Sequence, residues 1–133
     1  MEIKKIDHIG IVVRNLADAI PTYSEVLGLK YLHTEHNEAF DCDIAFLRCG
    51  DVLIELVEPH GPSVSLDFLN ERGEGINHIC YEVESIKEAF EEAKANGITD
   101  YDYPLVGAGD SRVFFLKPET VCSVTTEIVE LKK

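Results

Sequence analysis

The feature that most constrains this chain is that its pattern runs twice. Residues 6–13 (IDHIGIVV) and 76–83 (INHICYEV) echo one another about 70 positions apart, each an apolar, β-branched run of strand length. A segment of helical period follows each echo. The first is 16–27 (LADAIPTYSEVL), with Asn15 available as cap and Gly28 as stop; the second is 85–96 (SIKEAFEEAKAN), with Ser85 and Glu88 as a capping box and Gly97 as stop. Pro21 is expected to kink the first helix or to sit near its first turn. Three strand-like runs come next in each copy: 29–34, 43–49 and 52–58 in the first, 98–103, 112–116 and 123–131 in the second, with Gly50-Asp51 as a turn pair. The order β, α, β, β, β therefore occurs twice. It predicts an α+β fold of two tandem βαβββ modules, about 4–60 and 74–133, joined by a Pro- and Gly-flanked linker, 61–73, that holds a helical turn or two. Two copies make a duplication within one domain, not a solenoid, at a length of 133 residues.

Charge narrows the partners. Twelve Lys+Arg against 25 Asp+Glu give −13 at pH 7, a field that repels phosphate backbones and anionic headgroups, so nucleic acid and membrane surface are excluded as partners. No apolar run approaches the roughly 18 residues of a membrane span, and MEIKKIDHIG passes straight from two lysines into a strand, which predicts a cytoplasmic protein. Cys42, Cys49, Cys80 and Cys122 match neither a CxxC zinc site nor a dense disulfide framework, and are expected to be reduced, mostly packing thiols.

The duplication also repeats two chemistry-bearing residues. His8 and His78 each stand third in the first strand of their copy, and Glu55 and Glu127 each stand inside the last. Strand alternation gives Glu55 the face of Leu53 and Val57, and Glu127 that of Thr125 and Val129. An ionised carboxylate among apolar neighbours is costly unless a positive charge compensates it, and neither strand contains lysine or arginine. One divalent ion, Mn²⁺, Fe²⁺, Co²⁺, Ni²⁺ or Zn²⁺, would compensate both carboxylates through two imidazoles and two carboxylates and keep two positions open if octahedral. Glu58 and Glu130, three positions on, point to the opposite face by parity. His33, His36 and His60 fall near strand ends or in the linker and are read as exposed.

With IDHIGIVV, ELVEP, GEGINHICYEV and the terminal TTEIVEL, the chain resembles the vicinal oxygen chelate superfamily over essentially its whole length. Within that superfamily, ELVEPHGPSVSLDFLNERGEGINHICYEV is most similar to methylmalonyl-CoA epimerases. The resemblance implies that His8, Glu55, His78 and Glu127 ligate one divalent metal, that each module curves into half of a cup around it, and that the protein is a homodimer. It further implies a glutamate base just before the third strand, the place of Glu38, with Glu127 as the second base. Relatives follow that glutamate with Gln-Gly where this chain reads Glu38-Ala39-Phe40-Asp41, which leaves Asp41 as an alternative base. Lys117-Pro118 stands for the usual His-Pro, and Val121-Cys122-Ser123 for the usual Gly-Gly before the last strand.

The implied activity is a metal-dependent isomerase that moves a proton alpha to a carbonyl, epimerising an acyl-CoA thioester. Lys30, Arg48, Arg72, Arg112 and Lys117 are the cations away from the termini that could meet CoA phosphates. The alternatives are a glyoxalase I-like lactoylglutathione lyase working on a glutathione adduct, and a ligand-sequestering protein of the same fold without catalysis.

Overall fold

The computed structural model describes residues 1–132. Among the described residues eight strands and three α-helices are present, so the fold is α+β. Contacts divide the chain into two compact units, one of residues 8–77 and one of residues 1–7 with 78 onward.

In the first unit the strand order is β2-β3-β4-β1, with β2 Lys30–Asn37, β3 Cys42–Cys49, β4 Val52–Pro59 and the part of β1 (Ile3–Val12) from His8 onward. β1 runs parallel to β4, while β2–β3 and β3–β4 are antiparallel hairpins. Between β1 and β2, Asn15 caps helix α1 (Leu16–Pro21) by accepting from the Asp18 amide. Pro21 lies at the end of α1 and cannot donate, so the chain widens there into a π-helical turn, Thr22–Val26, closed by the Leu27 amide on the Thr22 carbonyl at 3.0 Å. One face of the sheet packs Ala45, Leu47 and Leu56 against Val13 and Leu16, with Ile20 and Tyr23 at the margin. The segment expected as a linker forms a full helix, α2 (Val64–Arg72), capped by Ser63 and stopped at Gly73, whose φ is +80°. Its prolines and glycines flank the helix instead of interrupting it.

The second unit repeats the plan. Its strands are β5 (Gly75–Val83) from His78 onward, β6 Leu105–Val106, β7 Arg112–Phe115 and β8 Thr126–Glu130, in the order β5-β8-β7-β6. β5 is parallel to β8, and β7 is antiparallel to both β8 and β6. Helix α3 (Ile86–Ala95) begins at the expected Ser85 cap, whose hydroxyl accepts from the Glu88 amide. It lays Ile86, Ala89 and Ala93 on Val83, Phe114, Leu116 and Ile128, and Phe90 meets Phe114 edge to face at 5.1 Å.

The expected strand at 98–103 does not form. Asp100 and Asp102 break its alternation, and the segment is pinned instead by single bonds: Thr99 Oγ1 donates to the Phe115 carbonyl at 2.7 Å, and the Ile98 carbonyl accepts from the Lys117 amide at 2.7 Å. The four cysteines are free thiols, but only Cys42 and Cys80 pack inside; Cys49 and Cys122 are exposed, against the expectation of mostly packing thiols. Among the described residues no helix is long and apolar enough to cross a membrane.

Candidate metal centre

In the first unit the ladder sets Gly10 beside Glu55, so His8, two residues before Gly10, shares the face of Glu55. That face is the one turned away from α1. His8 Nδ1 lies 3.0 Å from Glu55 Oε2, and each residue is 5% exposed. Phe46 is the cross-strand neighbour of Glu55, and the His33 ring stacks on Phe46 at 4.7 Å.

The second unit builds the same pair in the same register. Cys80 is beside Glu127, so His78 shares the face of Glu127, away from α3. His78 Nε2 lies 3.5 Å from Glu127 Oε1, with both side chains at most a tenth exposed. Phe115 is the cross-strand neighbour of Glu127 and meets the His78 ring edge-on at 5.9 Å. Tyr101 lies against Phe115, and burial, with the Glu127 charge as a lesser cause, raises its hydroxyl above the ordinary 10.0.

The donor chemistry of each pair is of the kind a transition metal accepts. Imidazole nitrogen and carboxylate oxygen are the mixed set that such ions accept, and both carboxylates are buried in strands that carry no lysine or arginine. The aromatic neighbours lower the local dielectric and make an uncompensated carboxylate costlier still.

Glu58 and Glu130 have a different task, the same in both units. Glu58 Oε1 accepts from the Leu16 amide at 2.9 Å, and Glu130 Oε1 from the Ile86 amide at 2.9 Å. Each satisfies an orphan amide in the first turn of its unit's helix and sets a negative charge at the positive end of the helix dipole. The sequence parity that put them opposite Glu55 and Glu127 thus has a structural counterpart in the helix starts.

The two candidate bases lie on the turn between β2 and β3. Glu38 is exposed, and its carbonyl accepts from the Asp41 amide at 3.4 Å. Asp41 has a positive φ of 48° and receives the His60 amide on its carbonyl at 3.1 Å. Its carboxylate lies over Gly61, where a Cβ would come within 2.1 Å of Oδ2. Sequence reasoning passed over Glu35. The ladder pairs Glu35 with Ile44 and Ile44 with Val57, which puts Glu35 on the face of Glu55, half-buried, with its Oε2 3.2 Å from His33 Nε2. Alternation along β2 was the available signal, but the cross-strand register needed to use it is set by a bulge between Tyr31 and His33.

Comparison with known proteins bears on these pairs. A crystal structure of a hypothetical protein from Bacillus halodurans C-125 is similar at 41% identity and a TM-score of 0.91, over 97% of this chain and 95% of that one. A glutamate-to-glutamine variant of Streptomyces coelicolor methylmalonyl-CoA epimerase, in complex with 2-nitronate-propionyl-CoA, matches at 29% identity and a TM-score of 0.92, over 99% of this chain and 100% of that one. Lactoylglutathione lyase of Salmonella typhimurium is 30% identical over 94% of this chain and 91% of its own length. The family model for this group matches residues 7–115, a span that takes in three of the four paired residues, and with that match the chain belongs to the Glyoxalase/Bleomycin resistance protein/Dioxygenase superfamily.

Proposed function

We propose that this chain is a metal-dependent isomerase that moves a proton on the carbon alpha to a thioester carbonyl, with an acyl-CoA of the methylmalonyl type as substrate. His8, Glu55, His78 and Glu127 would hold one divalent ion, Co²⁺, Mn²⁺, Ni²⁺, Zn²⁺ or Fe²⁺. The observation that carries the reading is the repeated buried His–Glu pair, one per unit at matching register. The similar Streptomyces epimerase, with its acyl-CoA ligand, supports the choice of substrate class.

When bound, the ion supplies Lewis acidity that stabilises negative charge developing on the substrate's carbonyl oxygen. The chain's own residues move the proton. One glutamate removes it from the α-carbon, and a second on the other face of the planar enolate returns a proton there, inverting the centre. Glu127 and Glu38 are assigned these roles, with Asp41 and Glu35 as the neighbouring carboxylates that a failure of Glu38 would bring forward. Phe46 and Phe115 beside the glutamates exclude water from the pairs. We extend the family resemblance to a cytoplasmic homodimer, which size-exclusion chromatography with light scattering would read.

The test is exchange. Chelator-treated protein, with and without Co²⁺ or Mn²⁺, is incubated in D₂O with (S)-methylmalonyl-CoA and, separately, with the methylglyoxal–glutathione hemithioacetal. Metal-dependent deuterium uptake at the α-carbon of the thioester, lowered by roughly 10²–10⁴ in Glu127→Gln, is expected. Turnover of the hemithioacetal alone would replace the epimerase reading with the lyase. Unchanged exchange in Glu38→Gln would remove Glu38 from the mechanism.

A further inference from the structure

The sheet face opposite Glu55 carries a second group of donors in the first unit. The ladder sets His36 beside Asp43 and Asp43 beside Glu58, three strands contributing one residue each to a row. His60, two residues past Glu58, turns back onto the same carboxylate. His36 Nδ1 is 2.9 Å from Asp43 Oδ1, and His60 Nε2 is 3.0 Å from Asp43 Oδ2 and 3.7 Å from Glu58 Oε2. The two imidazole rings lie 6.1 Å apart at 34°. One donor atom each from His36, Asp43 and His60 lies within 4.8 Å of the other two.

We propose that His36, Asp43 and His60 form a second divalent-cation site, for a borderline ion of the Zn²⁺ class, with Glu58 in reach as a fourth donor. Two neutral imidazoles and one carboxylate carry a charge of −1, or −2 with Glu58, which a dication neutralises and which repulsion between two adjacent imidazoliums would not allow protons to match. A proton can serve one histidine at a time; a metal ion serves both. Partial exposure of all three side chains gives an ion access without opening the fold. The donors also bracket the turn that carries Glu38. His36 precedes it, Asp43 follows it, and the His60 amide already donates to Asp41 within it. An ion here fastens β2, β3 and the chain leaving β4 around that turn.

This site does not depend on the function proposed above, and the experiment separates the two. Chelator-treated parent chain and a His36→Gln/His60→Gln double variant are dialysed to equilibrium against graded Zn²⁺. The variant is expected to bind one equivalent fewer than the parent at saturation, with an unchanged far-ultraviolet circular dichroism spectrum in chelator because both side chains are substantially exposed. The difference between the two proteins reads this site, whereas the equivalent that remains in the variant reads the buried pairs. Equal stoichiometry would overturn the proposal. As a second measurement on the parent chain alone, Zn²⁺ is expected to shift the ¹⁵N resonances of His36 Nδ1 and His60 Nε2; resonances that stay in place while zinc binds would also overturn it.

Discussion

Three positions along a strand separate two uses of a carboxylate. Glu55 and Glu127 share their sheet face with a histidine and an aromatic ring, while Glu58 and Glu130, on the other face, end on the first amides of α1 and α3. Odd spacing in an extended chain reverses direction, and the direction decides whether the charge meets an imidazole or a helix N-terminus. His60 is shaped by its neighbours in the same way. Its hydrogen bond to Asp43 raises it above 6.5, with the charges of Glu58 and Asp41 acting in the same sense, and His36 and His60 together hold Asp43 below 3.8. A raised histidine contributes its stability in full below 6.5 and loses it as pH rises through the folded value, and a lowered aspartate loses its share as pH falls through its own. The contribution of the pair is therefore greatest between about pH 4 and 6.5. In chelator, the His60 ring is expected to titrate above 6.5 by NMR and to move down in Asp43→Asn. The Tm difference between the parent and that variant should shrink from pH 6 to pH 8; a constant difference would mean that the pair adds nothing.

At the scale of elements, the strands and helices with strong local signals lie where their periodicity puts them. α3 keeps its capping box and its Ile86–Ala89–Ala93 stripe, and β3 and β4 meet at Gly50, where φ is +61°. Departures occur where a local signal is weak or where an element is finished by a partner. The run 98–103 is replaced by two isolated hydrogen bonds to the β7 region, and α1 gives way to a π-helical turn at Pro21. The turn before β8 is a third case. Cys122 and Ser123 adopt left-handed φ values of 62° and 64°. A residue with a Cβ pays about 1 kcal/mol there. Ser123→Gly is expected to stabilise the protein by about 0.5–1 kcal/mol in urea denaturation, with an unchanged m-value, and a destabilisation would show that the serine side chain makes a compensating contact.

For the whole molecule, the duplication makes each module solve the same problem. One sheet face is covered by the module's own helix, and the other presents a histidine and a glutamate that apolar neighbours cannot satisfy. An ion that binds only the folded chain stabilises it by about 4 kcal/mol at a thousandfold excess over Kd. Co²⁺ added to chelator-treated protein is therefore expected to raise Tm by roughly 10 °C, since each kcal/mol is worth a few degrees at this size. Most of that rise should vanish in Glu127→Gln and survive in His36→Gln; the reverse result would place the stabilising ion at the outer site.

Local pattern alone determined the doubled βαβββ order, the helix caps at Asn15 and Ser85, and the matching places of His8 and His78, and of Glu55 and Glu127, in the two copies. Periods of two and 3.6 are properties of the backbone and survive without a fold around them. Tertiary structure decided what sits across from what: Glu58 and Glu130 on the helix amides, Glu35 on the face of Glu55, and His36, Asp43 and His60 around one point. Those groupings depend on register between strands, where a slip of one residue, or one bulge such as that between Tyr31 and His33, turns every side chain to the other face.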